Sequence, residues 1–267
     1  RKTWLEELIE RFNTKAQDKF YIEHNIGEGK FQYYEAAHEQ YHESLSRLKK
    51  IISSHRHQVI EREFLPNFLF NPKDLVIAIG QDGLVVNTAK YLDGQHVLAI
   101  NPDPMRIQGV LLPYDIHEFD LNLLKRIKDN RVNVARITMA KAELNNGLKV
   151  YGVNDLFIGH SSHQSARYKI NFNGQMEDHS SSGIIVSTGA GSTGWFKSVI
   201  TGAAGITQRF LNSSVQIPEE NVHRFPWDAE YLYFSVREPW ASKTSGAEVI
   251  FGKITRGGHL ILESKMP

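Results

Sequence analysis

Cysteine is absent from the 267 residues. That excludes a disulfide frame, a thiolate zinc site and a cysteine nucleophile. The absence suits a reducing compartment, and a cytoplasmic location is expected. Long hydrophobic runs are also lacking: none approaches the roughly 20 residues of a membrane-spanning helix, so no membrane partner is expected. The opening stretch RKTWLEELIERF puts charges where a signal peptide needs an apolar core. It begins with Arg1 rather than Met, which reads as a late start or a missing short leader. Charge of one sign is missing too. Lys and Arg number 31 against 30 Asp and Glu, a net charge of +1, so a generally basic nucleic-acid surface is not expected. What is present, 41% hydrophobic and 23% charged residues without repeats, is a globular mixture. The length suffices for one large domain or two small ones.

Thr3 and Glu6 have capping-box spacing, and Trp4, Leu5, Leu8, Ile9 and Phe12 follow at helical intervals, so a helix is expected over 3–13. A second is expected over 31–54, from Tyr34, Ala37, Tyr41, Leu45, Leu48 and Ile52. Residues 74–79, 83–92 and 96–100 read as strand, helix and strand, the repeating unit of a parallel α/β sheet. A further amphipathic helix is expected over 117–129. After the prolines of NPDP (101–104) the texture changes. Segments 131–143, 148–159, 166–173, 183–187, 230–236, 247–254 and 259–263 read as short strands, interrupted by one helix near 193–211. The expected organisation is an α/β domain over 1–104 and a mostly β domain over 105–267. The stretch before residue 33, with FYIEHNIGEGKFQYYE, reads as a surface excursion that covers a site or pairs subunits.

Three local patterns carry chemistry. The first is Gly80-Gln81-Asp82-Gly83, which closes the strand Leu75–Ile79 and opens a helix. Such a turn presents backbone N–H groups and a helix N-terminus to an anion. An aspartate there suits a base for a hydroxyl nucleophile or a ligand for Mg²⁺ beside a phosphate; the plainer reading is a turn with Asp as an N-cap. The second is SSGIIVSTGAGSTGWFKS (181–198), where Gly189, Gly191 and Gly194 have G-x-G-x-x-G spacing. A dinucleotide fingerprint needs an acidic residue about 20 positions on, and none occurs before Glu219. What survives is a small-residue loop with hydroxyls and an aromatic face at Trp195, or else a tight turn beside a core Trp. The third is HEQYH, His38 to His42, an H-E-x-x-H pattern on an expected helix. It admits zinc on His38 and His42 with Glu39 as base. Against that stand twelve histidines in the chain, a Tyr-, Glu- and Lys-rich helix face, and no convincing third ligand on the same helix.

The two glycine loops, with VNDLFIG (153–159) between them, resemble the NAD kinase family in order and rough spacing. The matching segments are Gly80-Gln81-Asp82-Gly83, Asn154-Asp155, and Ser187-Thr188-Gly189-Ala190-Gly191-Ser192-Thr193-Gly194-Trp195. SARYKINFNG (165–174) and FSVREP (234–239) are similar to the mitochondrial-type branch and its bacterial relatives. The resemblance covers most of the chain from about residue 33. It implies a Rossmann-like N-terminal α/β domain and a sandwich-like C-terminal domain with the active site between them. It also implies a homo-oligomer, taken as a dimer, that uses ATP and Mg²⁺ to phosphorylate the adenosine ribose 2′-hydroxyl of NAD, giving NADP. By the same resemblance Asp82 is the general base, and Gly80, Gln81 and Gly83 hold phosphate. Asn154 and Asp155 fix the dinucleotide's ribose, Thr193 and Gly194 read the adenine edge, and Trp195 and Ser198 contact the ligand. No residue is assigned to a resident metal.

This chain departs from the family pattern at several positions. Gln81 replaces a Gly, Leu84 a Thr, and Asp155 a Glu; Ser182 stands where many members have Asp, and Gly189-Ala190-Gly191 is expected to loosen a loop that Pro usually stiffens. Two alternatives therefore stand beside the kinase reading. One is phosphorylation of another acceptor (lipid, sugar or nucleoside), since the Gly-Asp-Gly turn also occurs in the related lipid kinases. The other is a dinucleotide-binding protein with impaired catalysis.

Overall fold

The computed structural model describes residues 2–211 and 223–266. The chain divides into two compact units, residues 1–133 and 134–267.

The first unit opens with three helices, α1 (Trp4–Phe12), α2 (Lys15–Asn25) and α3 (Lys30–Ile52). The expected capping box starts α1: Thr3 Oγ1 accepts from the Glu6 N–H, and the Glu6 carboxylate accepts from the Thr3 N–H. The stretch expected as a surface excursion is helical and mostly exposed, anchored by Ile22 and Phe31. Leu5, Ile22 and Phe31, one from each helix, form a small core, and Ile22 is fully buried. Helix α2 escaped the sequence reading because its only buried side chains are Asp18 and Ile22, too few to give a helical stripe.

Three parallel strands follow, β1 (Leu75–Ile79), β2 (His96–Asn101) and the two-residue β3 (Tyr114–Asp115), with α4 (Asp82–Ala89) after β1 and α5 (Leu121–Lys128) after β3. The register pairs Leu75 with His96 and Ile79 with Ile100. Strand alternation sends Ile79, Leu98 and Ile100 to one face, where Leu48 of α3 and Leu123 and Leu124 of α5 cover them. Ala78 and Ala99 point to the other face, and the small side chains leave room for Val85 of α4. The compact unit thus ends about 30 residues beyond the expected boundary at 104. The NPDP prolines break an element, but Ile116, Phe119 and the apolar side of α5 are buried against this first sheet. Fully burying such side chains is worth about 1.5–3 kcal/mol each, which holds the segment to the unit.

The second unit contains β4 (Ala140–Glu143), β5 (Lys149–Gly152), β6 (Asp155–Ile158), β7 (Ala166–Phe172), β8 (Gln175–Ser181), β9 (Ile184–Ser187), helix α6 (Trp195–Phe210), β10 (Tyr231–Val236), β11 (Phe251–Thr255) and β12 (Leu260–Ser264). Two antiparallel sheets, ordered β11-β10-β9-β6 and β12-β7-β8, share one core of Ile170, Phe172, Ile184, Val186, Phe234 and Val236, while β4 and β5 form a hairpin. The expected sandwich-like character is therefore present. Phe172 and Phe234 meet edge to face at 4.9 Å. Gly252 is required above them: a Cβ there would lie 2.5 Å from Phe234 and 2.6 Å from Phe172. The expected strand over 131–143 shrinks to four residues. Strand β8 has no counterpart in the sequence reading because its inward positions are His179 and Ser181. They bond to Tyr168 Oη at 3.3 Å and 2.8 Å, a polar substitute for an apolar stripe.

Candidate functional site

In the first unit the glycine turn sits where the sequence reading puts it, between β1 and α4. Gln81 is the N-cap residue of α4, with φ −89° and ψ 165°. That backbone is open to any residue, so a side chain here strains nothing. Its amide forms no cap hydrogen bond. Gly80 and Leu84 are fitted to each other: a Cβ on Gly80 would lie 2.9 Å from Leu84 Cδ2. The Leu84 N–H donates to the Gln81 carbonyl at 2.8 Å, which leaves the Asp82 and Gly83 N–H groups at the start of α4 without a helical acceptor.

Asp82, half-buried, belongs to that first turn. Its Oδ1 accepts the Leu111 N–H at 2.8 Å and its Oδ2 the Val110 N–H at 3.2 Å. The carboxylate therefore clasps the loop that follows β2 and is held in one orientation by two backbone donors. Each oxygen retains a second lone pair. The loop is ordered by Asn101, whose Oδ1 accepts the Asp103 N–H at 3.0 Å and whose amide donates to the Ile107 carbonyl at 2.8 Å. Arg106 pairs with Asp103 at 2.7 Å and lies 5.5 Å over the Tyr33 ring. A cavity of about 350 Å³ borders Gly80, Gln81 and Leu84, walled by Tyr33, Tyr41 and Arg106 among others. It combines flat aromatic walls, a cation and a turn with free N–H groups, the elements that accept a base and phosphate.

Helix α3 carries His38 and His42 one turn apart, ring centroids 4.4 Å from each other. Glu6 of α1 approaches them, with Oε1 3.1 Å from His42 Nε2. Glu39 is exposed. The partner absent from the sequence reading comes from 32 residues upstream on another helix, and no spacing rule reaches that far.

In the second unit the expected residues form two groups. Asn154 and Asp155 stand at the start of β6, half-buried, beneath the loop 187–195. Thr188 fastens that loop: its N–H donates to the Asn154 carbonyl at 2.9 Å, its hydroxyl donates to the Val153 carbonyl, and its Oγ1 accepts the Gly191 N–H at 3.2 Å. The glycines are close-packed rather than loosening. A Cβ on Gly189 would lie 1.9 Å from the Pro226 carbonyl oxygen, and one on Gly191 would lie 2.1 Å from the Asn154 carbonyl oxygen and 2.7 Å from Asp155 Oδ1. Asn154 Oδ1 and Asp155 Oδ1 are buried with no hydrogen-bond partner. Burial pushes the Asp155 carboxyl up, opposed by the Ser187 hydroxyl. Thr193, Gly194, Trp195 and Ser198 are exposed at the start of α6. Trp195 is not a core residue: it is 39% exposed, tilted against Phe157 at 5.4 Å and beneath Arg237 at 5.2 Å. The structure thus brings Asp82 to the glycine turn in one unit and Asn154 and Asp155 to the Ser/Thr loop in the other.

A parallel α/β unit with an aspartate in its glycine turn, joined in one chain to a β unit with an Asn-Asp pair under a Ser/Thr/Gly loop, is the class that the motifs describe. No family model matches the chain. Among curated proteins it is 25% identical to human "NAD kinase 2, mitochondrial" over 77% of its length, and equally to the rat protein of that name. The chain spans 62% and 64% of the length of these relatives. Among solved structures, yeast NADH kinase complexed with NADH gives a TM-score of 0.46 at 16% identity, covering 72% of this chain and 50% of that one. An NAD kinase from Archaeoglobus fulgidus in complex with ATP gives 0.41 at 14% identity, covering 83% and 86%. The resemblance to the NAD kinase family that the motifs carry thus extends over 77% of the chain.

Proposed function

We propose that the protein is a phosphotransferase of the NAD kinase type, transferring the γ-phosphoryl group of ATP to the adenosine ribose 2′-hydroxyl of NAD. The observation that carries this reading is the pair of buried, unpartnered acceptors, Asn154 Oδ1 and Asp155 Oδ1. Leaving such atoms unpaired costs about 1–3 kcal/mol each. Two acceptors on consecutive residues call for a ligand that brings hydrogen-bond donors, and the hydroxyls of a ribose are such donors. Thr193, Gly194, Trp195 and Ser198, open at the start of α6, are the surface on which the attached base and its neighbours would rest.

In the transfer, the 2′-oxygen forms a bond to the γ-phosphorus, the bond from that phosphorus to the β-bridging oxygen breaks, and the hydroxyl proton passes to Asp82. ADP and NADP leave. Such transfers depend mainly on alignment and on neutralising phosphate charge. The two N–H groups on the Asp82 carboxylate fix its direction. Of the turn residues, Gln81 and Gly83 offer N–H groups to the donor's phosphates, whereas the Gly80 N–H donates to the Ile100 carbonyl at 3.2 Å and ties the turn to β2. Gln81 adds an amide donor where the family pattern has none. Mg²⁺ would come with the donor as part of the substrate and, when bound, would offset phosphate charge; a carboxylate such as Asp82 would be an oxygen donor of the kind this ion takes.

A dimer is part of the same reading. No helix among the described residues is long and apolar enough to cross a membrane. A cytoplasmic location is our proposal, although both curated relatives are named mitochondrial. The deciding assay supplies purified protein with Mg-ATP and NAD and reads NADP through a coupled dehydrogenase. NADP formation by the native chain supports the proposal. Its absence while NAD still binds would leave a dinucleotide-binding protein, and ATP use with another acceptor would redirect the search.

A further inference from the structure

Glu6, His38 and His42 form a cluster to which the phosphoryl-transfer reading gives no role, although His38 also borders the cavity beside Gly80 and Gln81. One ligand atom from each lies within 4.8 Å of the others. Four-coordinate zinc, with bonds of about 2.0–2.1 Å, sets its ligand atoms roughly 3.3–3.4 Å apart. The Glu6 Oε1 to His42 Nε2 distance, 3.1 Å, is already close to that. The two edges to His38, each within 4.8 Å, close with up to about 1.5 Å of side-chain movement. His42 and Glu6 are 45% and 33% exposed in their side chains, so both are free to make it.

Thr3 orders the cluster from behind. Its hydroxyl lies 2.8 Å from His38 Nδ1, which leaves Nε2 as the nitrogen for a metal. Its backbone N–H donates to Glu6 Oε2 at 2.6 Å, which leaves Oε1 for the metal. One residue thereby orients two ligands, the outer-shell arrangement that fixes imidazole tautomer and carboxylate direction in zinc sites.

We infer that Glu6, His38 and His42 bind a single zinc-class divalent cation that clasps α1 to α3, with water completing the coordination. The benefit falls on a small core: the buried apolar side chains shared by the three opening helices are Leu5, Ile22 and Phe31, with Leu8, Ile9, Tyr21 and Tyr34 partly buried around them. A histidine pair at i, i+4 becomes a site here because a capping box delivers the third ligand. The H-E-x-x-H pattern is used without Glu39, so the inference concerns structure and not peptide hydrolysis.

Chelator-treated full-length protein would be titrated with ZnCl₂ by calorimetry, with thermal melting in parallel and Co²⁺ absorption as a report on coordination. The expected result is one zinc per chain and a raised Tm. Both should be lost in His42→Gln and in Glu6→Gln, and both kept in His57→Gln, which alters an exposed histidine outside the cluster. Thr3→Ala retains the ligands and should weaken binding about 10- to 100-fold. Circular dichroism checks that each variant is folded; His42 is exposed enough for its replacement to leave α3 intact. Absence of zinc uptake, uptake unchanged in both ligand variants, or equal loss in His57→Gln would each overturn the inference. None of these readouts depends on kinase activity, so the inference and the proposed function can fail separately.

Discussion

Asp82 faces two backbone N–H groups and, in the proposed reaction, a substrate hydroxyl. A substitution there has two consequences. Asp82→Asn removes the base, and NADP formation should fall about 10²- to 10⁴-fold. It also turns an amide NH₂ toward Val110 or Leu111, whose N–H then lacks an acceptor, at about 1–3 kcal/mol of stability. Activity and melting temperature must be measured together. Turnover within ten-fold of native would reduce Asp82 to a clasp for the loop at 110–111. Asp18 carries a different prediction. Both its oxygens are buried without partners, and burial raises its pKa above 3.8. The folded chain therefore binds this proton more tightly than the unfolded chain, and the stability so gained is present at low pH and lost as pH rises through the folded pKa. Asp18→Asn should melt above native at pH 7, with the difference shrinking toward pH 4. A difference that does not vary with pH would contradict the argument.

At the scale of elements, loop 187–195 is where sequence reasoning and structure part most usefully. The Gly-Ala-Gly run reads as slack, yet Gly189 and Gly191 are the points where two backbones touch. Gly189→Ala would push a methyl into the Pro226 carbonyl at 1.9 Å; overpacking of this kind costs about 1–3 kcal/mol. A melting curve unchanged from native would contradict the packing. Legibility followed chemistry. Helices α1 and α3, strands β1, β2, β7, β9 and β10, and the Asp82 turn were readable because an apolar period or a glycine turn announces each of them. Helix α2 and strand β8 were not, since Asp18, His179 and Ser181 fill positions that elsewhere hold apolar residues. The helix expected over 117–129 is present as α5, but the NPDP prolines place it past the expected boundary, because prolines mark turns and not domain edges. For the site, glycine spacing and the Asn-Asp pair pointed to the right neighbourhoods. The clasp from Val110 and Leu111, the aromatic cavity and the approach of Glu6 to His42 are long-range pairings that no local pattern encodes.

For the whole molecule, two units with separate cores divide the proposed labour. Residues for the donor's phosphates and the base lie in the first, and residues for the dinucleotide in the second. Ligands should therefore leave separate signatures. Hydrogen exchange with NAD alone should slow amides around 153–158 and 187–198, and Mg-ATP alone should slow those around 80–84 and 101–111. Protection by NAD confined to the first unit would reverse the assignment. The indole of Trp195 adds a practical consequence. Open to solvent on one side and capped by the Arg237 guanidinium on the other, it is a built-in optical gauge of the dinucleotide surface. With Trp4, Trp227 and Trp240 changed to Phe, its emission would blue-shift as a nucleotide displaces water from the ring, and site occupancy would be readable by eye of the spectrometer in unlabelled protein, turnover by turnover.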